Sequence, residues 1–223
     1  MDSFIQTIPF FTAQQRALAM SVAEFTEREI EPRASADERD VEEALRSYVR
    51  LLSEHALLRY AAGTPGERFD LRAFCIIRET ISYFSALADL AFVMQGLGTY
   101  AISLAATEHV RDFWLDRARS GQAIAAFALT EPHAGSDVSA LKTEARREGD
   151  GYIINGHKRF ISNAGVADFY TVFARTGTRE DGRAEISAFI VSARMPGFRV
   201  AERTEMIAQH PIGELEFKDC RVP

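Results

Sequence analysis

Two polar segments in the second half of the chain combine residue types that can bind a flat aromatic ligand. The first, LTEPHAGSDV at residues 129–138, places a proline and a glycine among hydroxyl and carboxylate side chains. The second, NGHKRFISNAGVAD at residues 155–168, adds an aromatic side chain and further polar groups. Both follow apolar strand patterns, so they can meet at one ligand. Backbone donors, hydroxyls and aromatic faces together suit a heteroaromatic ring with polar edges and a phosphate tail.

These segments also permit a simpler interpretation. Thr130, Ser136 and Ser162 supply hydroxyls, while Phe127 and Phe160 supply aromatic faces. Composition alone, however, favours an ordinary capped turn that holds no ligand, because Ser, Thr, Asp, Pro and Gly are the usual residues of such turns.

The remaining candidate motifs carry weaker signals. The histidines form no HxxxH or HExxH pair, so no metal site is predicted. They are His55, His109, His133, His157 and His210. GLGTYA at residues 96–101 matches the dinucleotide pattern G-x-G-x-x-G/A, but helical apolar spacing runs directly into it. We therefore expect its glycines to permit close helix packing or a kink.

Composition indicates a soluble protein with a small-molecule ligand. The chain has 223 residues, a formal net charge of −6 and a pI near 5.5, which argues against nucleic acid as a partner. No apolar run approaches the roughly 20 residues of a membrane helix, so no membrane span is expected. Two cysteines without metal or disulfide spacing, and an N-terminus without a signal pattern, favour a cytoplasmic location.

Helical spacing of apolar residues runs through the first half of the chain. We expect Thr12 to cap the first helix and Pro32 to end it, because proline lacks a backbone donor and clashes with the preceding turn. Asp70 and Thr107 are expected to cap later helices. Gly121 is expected to follow the last helix in a left-handed conformation. This half is predicted to be all-helical.

The apolar period changes after Gly121. AIAAFAL is a short apolar run, and YIINGHKRFI is typical of two strands that meet at Asn155-Gly156. Further strand candidates are DFYTVFAR, EISAFIVS and GELEFKDCRV. Helices followed by strands, without alternation, indicate an α+β fold with two segregated domains. The boundary is expected near residues 120–123.

The polar segments also resemble a known family. FALTEPHAGSD and NGHKRFISNAGVAD, in this order and separation, are similar to the signature of the acyl-CoA dehydrogenases, and the resemblance covers essentially the whole chain. It implies an N-terminal helical domain at residues 1–121 and a β-sandwich or barrel-like middle domain at residues 122–223. The family's C-terminal helical bundle is absent from this chain. So specific a pair of motifs outweighs the ordinary-turn interpretation.

The resemblance implies an FAD site. Thr130 and the backbone before it would hydrogen-bond the pyrimidine edge of the flavin, Phe160 would flank the ring, and Ser162 would place its hydroxyl at flavin N5. Such donors stabilise the charge that builds up on the ring during reduction. Ser136 would meet the pyrophosphate and also lie near the pantetheine arm of the substrate. The implied cofactor-binding residues are Phe127, Leu129, Thr130, Gly135, Ser136, Phe160, Ile161 and Ser162.

The reaction implied by the resemblance is FAD-dependent α,β-dehydrogenation of an acyl-CoA thioester, with electrons passed to an electron-transfer flavoprotein. A carboxylate removes the α proton while the β hydrogen passes to flavin N5. The family's catalytic glutamate lies in the C-terminal bundle, so no residue here is assigned as the base, and the chain alone is expected to be inactive. Glu131 resembles a structural residue of the family. A homo-oligomer, dimer or tetramer, and a role in fatty acid metabolism are also implied.

Other functions of the same scaffold stay open. An acyl-carrier-protein dehydrogenase or a flavin monooxygenase could use these two domains, and so could a non-catalytic flavin-binding scaffold subunit.

The chain also departs from the family pattern. His133 stands where glycine is common and is expected to face solvent. Ser162 replaces a commoner threonine and lacks the methyl group that restricts the hydroxyl rotamer.

Overall fold

The computed structural model of the protein describes residues 3–35, 40–64 and 66–223. Helices come first and strands second, as the apolar spacing predicts. The α-helices are α1 (Ser3–Thr7), α2 (Ala13–Phe25), α3 (Glu31–Ala34), α4 (Val41–Glu54), α5 (Arg59–Ala62), α6 (Leu71–Ser82), α7 (Ala86–Ala105) and α8 (Glu108–Arg119). The strands are β1 (Ala125–Ala128), β2 (Glu144–Glu148), β3 (Gly151–Ser162), β4 (Phe169–Thr178), β5 (Ala184–Ser192), β6 (Phe198–Thr204) and β7 (Ile212–Val222).

Local capping chemistry defines several helix ends. Thr12 and Gln15 exchange side-chain-to-backbone hydrogen bonds of 3.2 and 3.1 Å, which form a capping box for α2. Asp70 accepts a backbone N–H of α6 at 3.0 Å. Gly121 follows α8 at φ +69°, as expected of a left-handed residue past a helix end. Thr107 precedes α8, but its side chain makes no capping hydrogen bond, so that part of the prediction is wrong.

Pro32 does not end the first helix. The backbone continues from α2 through a π-helical turn at Thr26–Ile30 into α3, where Pro32 lies in the first turn. Glu31 N still donates to Thr26 O, so the helical path runs on past Pro32 although proline lacks an N–H. The π turn resets the hydrogen-bond register just before the proline. The prediction that Pro32 stops the helix is therefore wrong.

In the described part of the chain, the strands form one curled mixed sheet of seven strands, in the order β1-β4-β2-β3-β7-β6, with β5 paired to β4. β1 and β4 pair in parallel, whereas β3 and β7 pair antiparallel. Helices packed beside such a sheet confirm the α+β class. The strand patterns predicted β3, β4, β5 and β7 but missed β6.

The predicted turn at Asn155-Gly156 is wrong, because both residues lie within the continuous strand β3. The hairpin between β2 and β3 instead reverses at Gly149, where φ is +61°. Gly156 serves a different purpose. A Cβ at this position would lie 2.5 Å from Thr143 Oγ1, so glycine permits the close approach of β3 to the segment that enters β2.

Two glycines of helix α7 allow close packing, Gly96 against helix α6 and Gly98 against strand β1. A Cβ on Gly96 would lie 3.1 Å from the Phe74 ring, whereas a Cβ on Gly98 would lie 2.6 Å from Ala125 Cβ in β1. The GLGTYA segment therefore permits close packing, as predicted, and a strand as well as helices is the partner. One buried core contains residues from both halves of the chain, so the domain boundary at residues 121 and 122 stays a prediction.

By length and composition, α7 is also apolar enough to cross a membrane. It has 20 residues with a hydropathy of 1.3, which contradicts the expectation that no apolar run approaches this length. In the described structure, 67% of its apolar window is buried against other elements. Core helices of soluble proteins have the same character, because they bury all their faces.

Gly98→Ala is expected to destabilise the protein by about 1 to 3 kcal/mol, because the added methyl meets the backbone of β1. Chemical denaturation of the wild type and the variant measures this loss. Gly96→Ala is the matched control in the same helix. Its methyl would lie 3.1 Å from the Phe74 ring and 3.3 Å from Ala61 O, farther than the 2.6 Å contact of Gly98→Ala with β1. The helix propensity of alanine offsets this milder crowding by up to about 1 kcal/mol. Equal stability of Gly98→Ala and the wild type would contradict the close helix–strand packing.

Candidate functional site

The start of β1 is fixed by two buried amide side chains. Gln95 of α7 accepts a hydrogen bond from Ala125 N at 2.7 Å. Its amide group also donates to Ala118 O and Ala123 O, each at 2.9 Å. Asn163, just after β3, donates from Nδ2 to Ala125 O at 3.0 Å. Both backbone groups of Ala125 are therefore paired away from water, which anchors the strand that leads into the polar segment.

A buried ion pair fixes the end of β1. Lys158 Nζ of β3 lies 2.8 Å from Glu131 Oε1, and the two side chains are 0% and 5% exposed. Lys158 Nζ also donates to Leu129 O at 2.9 Å. The Glu131 carboxylate accepts two backbone donors in addition, Lys142 N at 2.7 Å and Thr143 N at 2.9 Å. The pair thus joins the polar segment to β3 and to the residues that enter β2.

The surroundings of this pair change the protonation of both partners. Burial alone raises the pKa of Glu131, but the hydrogen bonds from Lys158, Thr143 and Lys142 outweigh it, so the pKa lies below its usual value. Burial lowers the pKa of Lys158, and the bond to Glu131 opposes this shift. Because three donors hold its two oxygens and only 5% of its side chain is exposed, Glu131 is a structural carboxylate here.

The polar segment continues from this anchor toward solvent. Thr130 and Leu129 are half-buried, and Thr130 O accepts a hydrogen bond from Arg159 N at 2.8 Å. An antiparallel bridge between Glu131 and Ala134 then closes a turn. His133 lies on this turn and is exposed, as expected.

Gly135 and Ser136 follow on the same exposed loop. No hydrogen bond within the described residues involves either of them, so their groups stay free for an external partner.

Phe160 is presented by a bulge in β3. The pairing of β3 with β7 shifts register between Lys158 and Ile161, and Phe160 lies in this gap at φ +57° with 55% of its surface exposed. A bulky residue in the left-handed region is strained, and such strain persists where the surroundings impose it, commonly at functional sites. The Ile161 side chain is buried in the core, so only its backbone can face a ligand.

Ser162 ends β3 next to a histidine that the sequence did not indicate. Its Oγ lies 2.8 Å from His210 Nε2. His210 precedes β7, and the register that pairs Ser162 with Ile212 brings it alongside. The spacing of the histidines indicates only that they form no local metal pair, and no local pattern marks this contact. Only the pairing of β3 with β7 could have predicted it.

Together these residues bring hydroxyl groups and an aromatic face to the ends of β1 and β3. Thr130 and Ser162 bring half-buried hydroxyls, and Phe160 brings an exposed aromatic face. In the described part of the chain, Asn163 Oδ1 is a buried acceptor without a partner, which leaves a further polar atom for a ligand or water. Phe127 lies on β1 and packs on Phe173, with ring centroids 5.1 Å apart, so its ring belongs to the packing between β1 and β4.

Comparison with protein families gives two matches that divide the chain between them. The family model described as acyl-CoA dehydrogenase, N-terminal domain, matches residues 12–122. The model described as acyl-CoA dehydrogenase, middle domain, matches residues 126–220. Both halves of the site described above lie within the second match.

Individual relatives cover nearly the whole chain. Benzylmalonyl-CoA dehydrogenase of Aromatoleum aromaticum is 33% identical over 220 residues, which is 95% of this chain and 56% of that protein. The crystal structure of glutaryl-CoA dehydrogenase from Mycobacterium smegmatis superposes with a TM-score of 0.83 at 28% identity, over 100% of this chain and 57% of that one. An acyl-CoA dehydrogenase complexed with FAD from Bacillus anthracis gives a TM-score of 0.76 at 29% identity, over 96% and 37%. The chain thus spans little more than half the length of the first two relatives and 37% of the third.

Lys158→Met is expected to cost about 3 to 5 kcal/mol of stability, because it leaves the Glu131 carboxylate buried without its cation. Chemical denaturation measures the loss. Arg159→Met is the matched control on the neighbouring residue, since Arg159 is exposed and pairs with Glu214 at 3.0 Å on the surface. That change is expected to cost about 0 to 1 kcal/mol. Equal losses in the two variants would show that the buried pair does not hold the site together.

The stability of the protein is expected to fall in acid through Glu131. Because the folded-state pKa of Glu131 lies below its ordinary value of 4.5, its contribution is fully present above pH 4.5. It is lost as the pH falls through the lower folded-state pKa. Urea denaturation between about pH 3 and pH 7 measures this dependence. In Glu131→Gln, the free energy of unfolding is expected to depend less on pH below pH 4.5. An unchanged pH dependence in that variant would assign the acid sensitivity to other groups.

Proposed function

Since the chain belongs to the acyl-CoA dehydrogenase family, we propose that it forms the FAD-binding part of an enzyme that oxidises an acyl-CoA thioester between its α and β carbons. The observation that carries this proposal is the convergence of the two polar segments. The ion pair of Glu131 with Lys158 holds the end of β1 against β3, so Thr130, Phe160 and Ser162 lie on two adjoining strand ends.

The residues of this site match the chemical groups of FAD. The Thr130 hydroxyl and the backbone of Phe127 and Leu129 suit the pyrimidine edge of the flavin, which carries both donors and acceptors. The exposed face of Phe160 suits the flat ring. The free backbone and hydroxyl groups of the loop at Gly135 and Ser136 suit a pyrophosphate. Bound FAD would supply the two-electron acceptor for a hydride.

The substrate would lie beside the same loop. Ser136 is proposed to contact the pantetheine arm of the thioester as well as the cofactor. Glu131 is excluded as the base, since its oxygens are occupied by Lys158, Lys142 and Thr143. We therefore propose that the base is a carboxylate supplied from outside residues 1–223, with the residues described here providing the cofactor and thioester contacts.

The remaining parts of the proposal concern the protein's partners. Electrons are proposed to pass to an electron-transfer flavoprotein, and the enzyme is proposed to act as a homo-oligomer in the cytoplasm. The electron-transfer partner and the homo-oligomer follow from the family resemblance, and the cytoplasmic location follows from the two cysteines without metal or disulfide spacing.

The proposal is tested on the protein as it is produced from its gene. We expect purified protein to carry FAD, and an acyl-CoA thioester added without oxygen to bleach the absorbance of the oxidised flavin. A panel of straight, branched and cyclic thioesters identifies the substrate. Protein that shows no flavin absorbance even after FAD is supplied would contradict the proposal. Flavin that the thioesters do not bleach, but that oxygenates a substrate with O₂ after an external donor such as NADH has reduced it, would identify a monooxygenase instead.

Thr130→Ala is expected to weaken FAD binding by about 0.5 to 1.5 kcal/mol, the net contribution of one hydrogen bond. Quenching of flavin fluorescence on titration measures the affinity. Thr107→Ala is the matched control, because Thr107 precedes α8 and its side chain makes no capping hydrogen bond. Thr107→Ala is expected to bind FAD with the same affinity as the wild type. If Thr130→Ala also matches the wild type, Thr130 does not belong to the cofactor site.

A further inference from the structure

Ser162 and His210 form a hydrogen-bonded pair within the proposed flavin site. Ser162 Oγ lies 2.8 Å from His210 Nε2, and both residues are half-buried. Ser162 is the last residue of β3, whereas His210 lies on the connection between β6 and β7. The pair therefore joins two elements that meet only once the sheet has formed.

The backbone around this pair is held on both sides. Asn163 N donates to Pro211 O at 2.7 Å, and Ser162 lies opposite Ile212 in the register of β3 with β7. Asn163 is itself buried at φ +61° and tied to β1 through its side chain. The residues that flank both members of the pair are thus fixed by backbone contacts. The placement of His210 against Ser162 follows from that geometry.

The turn after Ser162 is fixed as well. Val166 N donates to Asn163 O at 3.0 Å, and Val166 O accepts a hydrogen bond from Arg46 of α4 at 2.8 Å. Gly165 N donates to the Tyr170 hydroxyl at 3.0 Å. The end of β3 is therefore clamped from the helical half and from β4, which leaves the rotation of the Ser162 hydroxyl as the main local freedom.

That rotation determines what Ser162 can do for a ligand. A serine hydroxyl carries one proton and turns among three staggered positions, because no methyl group restricts it. If imidazole Nε2 accepts a hydrogen bond from Ser162, the hydroxyl proton of Ser162 is used within the pair. If the imidazole Nε2–H donates to Ser162 Oγ, the hydroxyl proton of Ser162 stays available for an external acceptor. Burial lowers the pKa of His210, which favours a neutral imidazole with a single N–H.

We propose that His210 is a positioning residue that donates its Nε2–H to Ser162 Oγ and so directs the Ser162 proton toward a ring nitrogen of the bound cofactor. The inference rests on the proposed function, since the acceptor is N5 of the oxidised flavin. His210 acts through Ser162 and selects one of its rotamers. Without the imidazole, the hydroxyl is shared among several rotamers and its hydrogen bond to the ring is weaker.

The first test is made without cofactor. Nitrogen-15 NMR of the imidazole distinguishes a protonated Nε2 from a bare one, and His210→Ala assigns the signal. Above the pKa of His210, we expect the proton on Nε2 and a shift of this signal in Ser162→Ala. A proton on Nδ1 with Nε2 bare would overturn the proposal. So would a His210 signal that Ser162→Ala leaves unchanged.

The second test is a double-mutant cycle read in FAD affinity and in the midpoint potential of the bound flavin. His210→Ala is expected to weaken FAD binding about five-fold, as the loss of one ordinary hydrogen bond does, and to shift the potential. In the Ser162→Thr background, the added methyl group already restricts the hydroxyl. There, His210→Ala is expected to weaken FAD binding by less than about two-fold. His109→Ala, exposed on α8, is the control and should leave both values unchanged.

The outcomes separate this inference from the proposed function. His210→Ala could weaken FAD binding equally in the Ser162 and Ser162→Thr backgrounds. That result would mean that His210 stabilises the site in general, and it would contradict the positioning role. If FAD binds with the same affinity and potential with and without His210, the proposed function stands and the positioning role fails. If the protein binds no FAD, the proposed function fails, and the NMR signal still decides whether Nε2–H donates to Ser162.

Discussion

The buried ion pair between Glu131 and Lys158 is the interaction on which the candidate site depends. Two charges removed from water stabilise a fold only when their remaining donors and acceptors are also paired. Here the backbone of Lys142, Thr143 and Leu129 completes that pairing. One carboxylate thereby connects the end of β1, the middle of β3 and the entry to β2. A polar loop can leave an apolar sheet at this point because none of its anchoring groups is left without a partner.

The opposite end of β1 is anchored by amides rather than charges. Gln95 and Asn163 occupy both backbone groups of Ala125, so the strand is held at its start by a helix and by the turn after β3. A loop positioned by such a rigid scaffold can present binding groups with little freedom. The strained backbone of Phe160 is sustained in the same way, since Lys158 and Ile161, which bound the bulge on either side, are buried and paired with β7.

Features set by residues that are close in sequence could be predicted, whereas features set by distant residues could not. The caps at Thr12 and Asp70 could be predicted because cap chemistry spans three residues. The two motifs could be recognised because each is contiguous, whereas the ligand contacts of their residues stay a prediction. Pro32 and Gly156 were misinterpreted, because a preceding π turn and the distant Thr143 decide their conformations. The strain at the β3 bulge and the contact of Ser162 with His210 depend on the register with β7, which no local pattern records.

Native-state hydrogen exchange at the backbone amides of Lys142 and Thr143 tests the central role of the buried pair most directly. Both amides donate to Glu131 although they lie outside any strand. If the pair holds the site together, both amides exchange only through openings close in free energy to global unfolding. Exchange as fast as that of the exposed amides of Ser136 and Asp137 would contradict the account, because it would mean that the carboxylate releases them while the protein stays folded.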